Sequence, residues 1–163
     1  MTQNRALEDL RTKLTVIDLP LVLSSSRDTN ARLVQTFDNE ILKRLYEKGG
    51  HFSAVGVIFE SDDFISILGY HPSDISTPVL VTLDREGNEI ETINLFGSVG
   101  QDIGYYESNH VTINSDRTIT VIDSLLTRKV NEDRSDEIPG TDSLTVTVNK
   151  FRINEKGKSE KMD

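Results

Sequence analysis

Pro78-Val-Leu-Val-Thr-Leu-Asp84-Arg-Glu-Gly87-Asn-Glu-Ile-Glu-Thr-Ile-Asn-Leu95 consists of two alternating apolar runs joined by a charged turn with one glycine. The alternation places Val79, Val81 and Leu83 on one face of a strand. Ile90 joins that face, as do Ile93 and Leu95 after a register adjustment at the turn. Asp84 to Asn88 supply the polar reversal, with Gly87 free to take positive φ, so the stretch reads as a β-hairpin. A turn of the same kind returns near the end, where Phe151-Arg-Ile-Asn154-Glu-Lys-Gly157-Lys again carries glycine three residues after an Asx. Two readings stay open for this echo: a duplicated unit, or a geometry common to antiparallel turns.

Upstream of the hairpin, Leu33 or Val34, Phe37, Ile41 and Leu45 recur at helical spacing, and Gly49-Gly50 provides a stop. A helix is therefore expected over about 31–47, its apolar stripe covering the sheet encoded downstream. Leu7, Leu10 and Leu14 suggest a shorter helix at the start, and Leu14 to Leu23 turns extended around Pro20. From Phe52 the period shortens. Ser53 to Phe59 and Phe64 to Tyr70 flank a tight turn at Glu60-Ser-Asp-Asp63, and both are apolar enough for central strands. His110 to Asn114 and Arg117 to Asp123 form another pair, with a continuation through Val130. The charged stretch Asn131 to Ser143 is a loop, and Leu144 to Ile153 alternates as a late strand. The expected fold is α+β: a mainly antiparallel sheet of about six to eight strands built from consecutive hairpins, covered on one side by the helix. One domain spans 1–163, with 1–13 and 154–163 peripheral or frayed; blades of about 40 residues, as in a propeller, do not fit the first fifty residues.

Charge and composition act mainly by exclusion. The chain has 163 residues and a formal charge of −9, with no basic stripe to neutralise phosphates, so nucleic acid is not an expected partner. Cysteine is absent, which removes disulfides, thiolate metal sites and cysteine nucleophiles. No apolar stretch reaches the roughly 18 residues of a membrane span, and Met1-Thr-Gln-Asn-Arg lacks a signal-peptide layout.

The groups that carry chemistry in other proteins occur here without their spacing. His51, His71 and His110 show neither helical nor strand zinc spacing, so no metal and no cofactor are assigned. In Asp84-Arg-Glu-Gly-Asn the glycine stands fourth rather than sixth, which fails the EF-hand pattern. Ser24 to Ser26 and Ser98 lack a nucleophile elbow, and Gly97-Ser-Val-Gly100 lacks the lysine of a phosphate loop. Carboxylates on turns are most often solubilising, yet Asp62 or Asp63 with His71 or His110 would be the pair of a small hydrolase or lyase. Tyr105-Tyr106, beside the glycine loop, suits contact with a protein or a carbohydrate.

Leu19-Pro20, Val79 to Ile90, the hairpin Val111-Thr-Ile-Asn-Ser-Asp-Arg-Thr-Ile-Thr-Val-Ile-Asp123 and the closing Phe151 to Lys158 together resemble a loose group of uncharacterised β-rich proteins of Bacteroidetes-type bacteria. The resemblance implies an envelope or secreted compartment if the start has been trimmed, and the cytoplasm otherwise. The preferred reading is a non-catalytic binding or interaction module. Ser98, Tyr105 and Tyr106 are its candidate binding residues, the loops Gly97 to Tyr106 and Asn131 to Ser143 its least constrained surfaces, and the carboxylate–histidine enzyme its rival. The ligand, whether protein or carbohydrate, and the oligomeric state are not specified by these patterns.

Overall fold

The computed structural model describes residues 2–25, 39–48, 50–72, 76–97 and 99–163. The order of elements is α1 (Thr2–Lys13), β1 (Leu21–Ser24), α2 (Glu40–Lys48), β2 (Ser53–Glu60), β3 (Phe64–His71), β4 (Thr77–Asp84), β5 (Glu89–Asn94), β6 (Gln101–Asp102), β7 (Tyr105–Ile113), β8 (Thr118–Thr127), β9 (Ser143–Ile153) and β10 (Ser159–Met162). The protein is α+β and mainly antiparallel. Its strands form two sheets rather than one: β2-β3-β4-β5, and β1-β7-β8-β9-β10 with β6 added to β7.

The apolar content of the central hairpins explains the second sheet. Every residue from Phe64 to Tyr70 is buried, as is every residue from Pro78 to Leu83. Such strands need a cover on both faces, and alternation sorts the residues between the two. Ile65, Ile67, Val79, Val81 and Leu83 pack with Leu7, Leu10, Leu14, Ile41, Leu42 and Leu45 of the helical layer. Phe64, Leu68 and Leu80 pack with Leu23, Val111, Ile113, Ile119, Val121 and Ile153 of the second sheet. Ser66 and Thr82 on that inner face satisfy each other through a 2.9 Å hydroxyl–hydroxyl hydrogen bond.

The N-terminal helix belongs to this packing, whereas residues 154–163 lie at the periphery and are mostly exposed. In α1, Leu10 is fully buried, because an i, i+3, i+7 row of leucines turns one helix face inward. The first turn of α2 is capped by buried Asn39. Its Oδ1 accepts from the amides of Ile41 and Leu42, and its Nδ2 donates to the Ala6 carbonyl of α1 at 2.8 Å. The expected helix over 31–47 is observed from Glu40; residues 31 to 38 lie outside the described residues.

The same Asx turn closes three of the hairpins, β4–β5, β7–β8 and β9–β10. Asp84, Asn114 and Asn154 each accept, through the carbonyl, the amide three residues on, at 3.0, 3.1 and 3.0 Å. That third residue is left-handed in all three, with φ of 79° at Gly87, 66° at Arg117 and 76° at Gly157. A type I turn with a G1 bulge requires this conformation. The Asp84 carboxylate is committed to the turn, accepting from the amides of Glu86 and Asn88. Gly157 is also needed for closeness: a Cβ there would come within 2.8 Å of Thr82 Cγ2 and 3.0 Å of Phe64. Gly140, also left-handed at 75°, has open space around it. Gly157→Ala is expected to lower the free energy of unfolding by about 2–4 kcal/mol and Gly140→Ala by about 1 kcal/mol, as measured by urea denaturation; equal losses would show that the β9–β10 turn does not bear on the core.

Candidate interaction surface

The second sheet reaches beyond the first. Its uncovered end comprises Tyr105 to Ser108 of β7, Ile122 to Thr127 of β8 and Ser143 to Asn149 of β9. Residues that face the core lower down, such as Val111 and Val121, are followed along the same strands by half-exposed ones.

On the outer face, register places Leu144 beside Leu126, Val146 beside Ser124 and Val148 beside Ile122. Leu144, Val146 and Val148 are 64%, 51% and 54% exposed. The late strand expected over Leu144 to Ile153 is observed, and its apolar side faces outward and is bare over these residues. The edge is bare as well. The Ile153 amide donates to the carbonyl of Arg117, the residue before β8, at 3.0 Å, so odd-numbered residues of β9 bond to β8 and even-numbered ones point away. β10 takes up only the stretch from Lys150 to Ile153. Among the described residues no strand is seated against Leu144, Val146 and Val148.

The inner face of the same end forms a cleft of roughly 250 Å³ lined by Glu107, Ser108, Asp123, Ser124, Leu125, Thr145 and Thr147. Asn109 Oδ1 accepts the Gly97 amide at 2.9 Å, and the Gly100 carbonyl accepts the Glu107 amide at 2.9 Å, so the glycine loop lies along the strand. Asp123 Oδ1 is buried without a hydrogen-bond partner. Burial, and secondarily the nearby Glu107 charge, raises the Asp123 carboxyl above the ordinary range.

Tyr105 and Tyr106 point to opposite faces, as neighbours on a strand must. The Tyr105 hydroxyl donates to Glu107 Oε1 at 2.5 Å, and this bond is the main reason its own ionisation is raised. Tyr106 donates to Glu137, which also accepts the Gly104 amide at 2.9 Å and pairs with Arg128 Nη1 at 2.7 Å. Arg128 bridges onward to Asp142 and stands 5.8 Å from the centre of the Tyr106 ring. The loop from Asn131 to Ser143, expected to be among the least constrained surfaces, is thus pinned to Tyr106 of β7 and to Arg128 just after β8. The Arg128 guanidinium, then the Tyr106 hydroxyl and the Gly104 amide, hold the Glu137 carboxyl down to about 2.

Ser98 lies outside the described residues. Asp62 and Asp63 sit in the turn before β3, where Asp63 pairs with Arg85 at 2.6 Å. His71 lies at the far end of that strand, roughly 25 Å along it, with its ring edge-on to Phe52. His110 is exposed in β7, a strand of the other sheet. The structure therefore separates Asp63 from both histidines. His51 closes the end of α2, donating its amide to the Tyr46 carbonyl. No cluster of three or more acidic or histidine side chains that could hold a metal occurs among the described residues, and none of the described helices is long and apolar enough to cross a membrane. In comparison with known proteins, the chain matches no family model, no curated protein and no solved structure.

Two consequences are open to measurement. Glu137 is depressed in the folded state, so its contribution to loop anchoring is complete above the ordinary glutamate value of 4.5 and fades as pH falls toward 2. The protection of the Gly104 amide, relative to the intrinsic exchange rate at each pH, should fall across that window, and Glu137→Gln should flatten that fall; an unchanged pH dependence in the variant would refute the anchor. Asp123 is raised, so its charged form opposes folding at neutral pH. Asp123→Asn should raise Tm at pH 7, and the gain should vanish once the pH falls below the ordinary aspartate value of 3.8, as followed by thermal unfolding.

Proposed function

We propose that the protein is a non-catalytic interaction module that takes an extended segment of another polypeptide along the free edge of β9. The observation that carries this reading is the coincidence of two bare features on one strand: the outward-pointing backbone groups of Leu144, Val146 and Val148 and their exposed apolar side chains. Strand addition uses both, the backbone for affinity and alternate side chains for selectivity. The pinned loop Asn131–Asp142 supports it by fixing the start of β9 through Asp142 and Arg128. The resemblance of the hairpins to β-rich proteins of Bacteroidetes-type bacteria supports a role for such a module at the bacterial envelope.

An end-capped seven-residue peptide alternating Val and Thr between terminal lysines is a suitable probe. On titration, the amide resonances of Leu144, Val146 and Val148 should shift together, ahead of those of Thr145 and Thr147, whose amides face β8. Val146→Lys should weaken binding at least tenfold while leaving the circular dichroism spectrum unchanged. Shifts confined to other strands, or none, would refute an edge-binding function.

A further inference from the structure

Resting on the proposal that the β9 edge binds polypeptide, we infer that its partner is a second copy of this chain, joined by antiparallel pairing of β9 with β9 about a two-fold axis through Val146. The free stretch reads the same in both directions by type. A two-fold at Val146 sets Val146 against itself, Leu144 against Val148, Thr145 against Thr147 and Ser143 against Asn149. Leu144, Val146 and Val148, whose backbone groups point out of the sheet, are then the residues that donate and accept across the axis, as an antiparallel ladder requires. Their side chains lie on the outer face of both copies, so Leu126, Ile122 and the three β9 residues of each copy form one continuous apolar surface across the joint.

Charge favours this occupant. The chain carries −9, so two copies repel unless they meet where charge is absent. Ser143 to Asn149 has no ionisable residue, and it is bounded by Asp142 at one end and Lys150 at the other. Antiparallel pairing brings the Asp142 end of each strand to the Lys150 end of its partner. Parallel pairing would set like against like.

The other strand edges are closed to such pairing. The edge of β2 is covered by Thr15 to Ile17, with Ile17 donating to the Val57 carbonyl and Val57 to the Thr15 carbonyl. β5 carries Glu89 and Glu91, and the Glu91 carboxylate accepts from the Ser159 amide and hydroxyl at 2.6 and 2.8 Å. β1, β6 and β10 are four residues or shorter. Short length, inserted charge and covering segments are the usual ways of blocking an edge. Among the described residues, none of them is found at β9 over Ser143–Asn149.

Because the chain has no cysteine, single-cysteine variants report only contacts between copies. In the proposed register the two Val146 Cα atoms stand about 5.5 Å apart, within disulfide reach. The two Leu144 Cα atoms are offset by roughly 14 Å along the strand. Under mild oxidation of the full chain, Val146→Cys should form a disulfide-linked dimer at least tenfold faster than Leu144→Cys. A mixture of Leu144→Cys and Val148→Cys should cross-link as fast as Val146→Cys alone. Sedimentation equilibrium of the unmodified chain should show a reversible monomer–dimer equilibrium, weakened at least tenfold by Val146→Lys. Equal cross-linking of Val146→Cys and Leu144→Cys would overturn the register, and a monomer at all concentrations would overturn self-pairing. If that monomer still binds the Val-Thr probe peptide, the edge serves a different polypeptide. If that monomer binds no probe, both proposals fall together.

Discussion

The structure depends on one constraint: the β3–β4 pair is apolar on both of its faces. A strand pair with one wet face needs one cover, and a helix would suffice. Phe64 to Tyr70 and Pro78 to Leu83 leave no wet face, and each large side chain removed from water contributes about 1.5–3 kcal/mol. Leaving either side open would expose several of them at once. The helical layer and the second sheet are the two solutions to this demand. Leucines from α1 and α2 take the Ile65–Val79–Val81 side, and Val111, Ile113, Ile119 and Ile153 take the Phe64–Leu80 side.

The two sheets differ in strand length, and the difference creates the surface. β3, β4 and β5 run for 8, 8 and 6 residues, whereas β7, β8 and β9 run for 9, 10 and 11. A longer sheet laid on a shorter one must overhang. On the overhang, inward positions lose their apolar partners, and polar residues appear there: Val111 and Val121 give way to Glu107 and Asp123. A valine in those positions would face water, and the polar side chains instead line a cleft beneath the glycine loop. The outward positions of β9 do not change in this way. Leu144, Val146 and Val148 keep an apolar character that core packing does not require of them.

How far the residues reveal this depends on whether a feature is local. The hairpins, the alternation at Val79 to Leu83 and the Asx-x-x-Gly turns follow from spacing within a few residues, and they are legible. The third turn escapes a glycine search because Arg117 adopts the left-handed position, yet Asn114 and Asp116 before it carry the turn chemistry. The burial of Leu10 is less legible, since a three-leucine row on a short helix becomes core only when a sheet face lies within reach. Pairings between distant elements are not legible at all. Asp63 and His71 are close in sequence but occupy opposite ends of one strand, because an extended chain separates residues that a helix would bring together. Glu137, the hub of the loop anchor, sits in a run of charges that looks solvated until Tyr106 and Arg128 are placed beside it.

Alternation itself carries an ambiguity that β9 exposes. A period of two states that a strand has an apolar side without stating what that side meets. In β4 the partner lies within the molecule, and the hairpin turn fixes the register that delivers it. In β9 the same pattern continues past the last residue that the first sheet can cover, and the strand also continues past the last residue that β10 can pair. Packing therefore does not account for the choice of Leu144, Val146 and Val148 over threonine, and solvation would favour the reverse. Backbone pairing does not account for the length of the strand either, since its outward amides from Leu144 to Val148 bond to none of the described strands. A protein that protects its other strand edges with a charge, a covering segment or brevity, and leaves one long edge apolar and uncharged, is consistent with a contact made there. The self-matching order of Leu-Thr-Val-Thr-Val about its central valine makes an identical chain the simplest one to meet it.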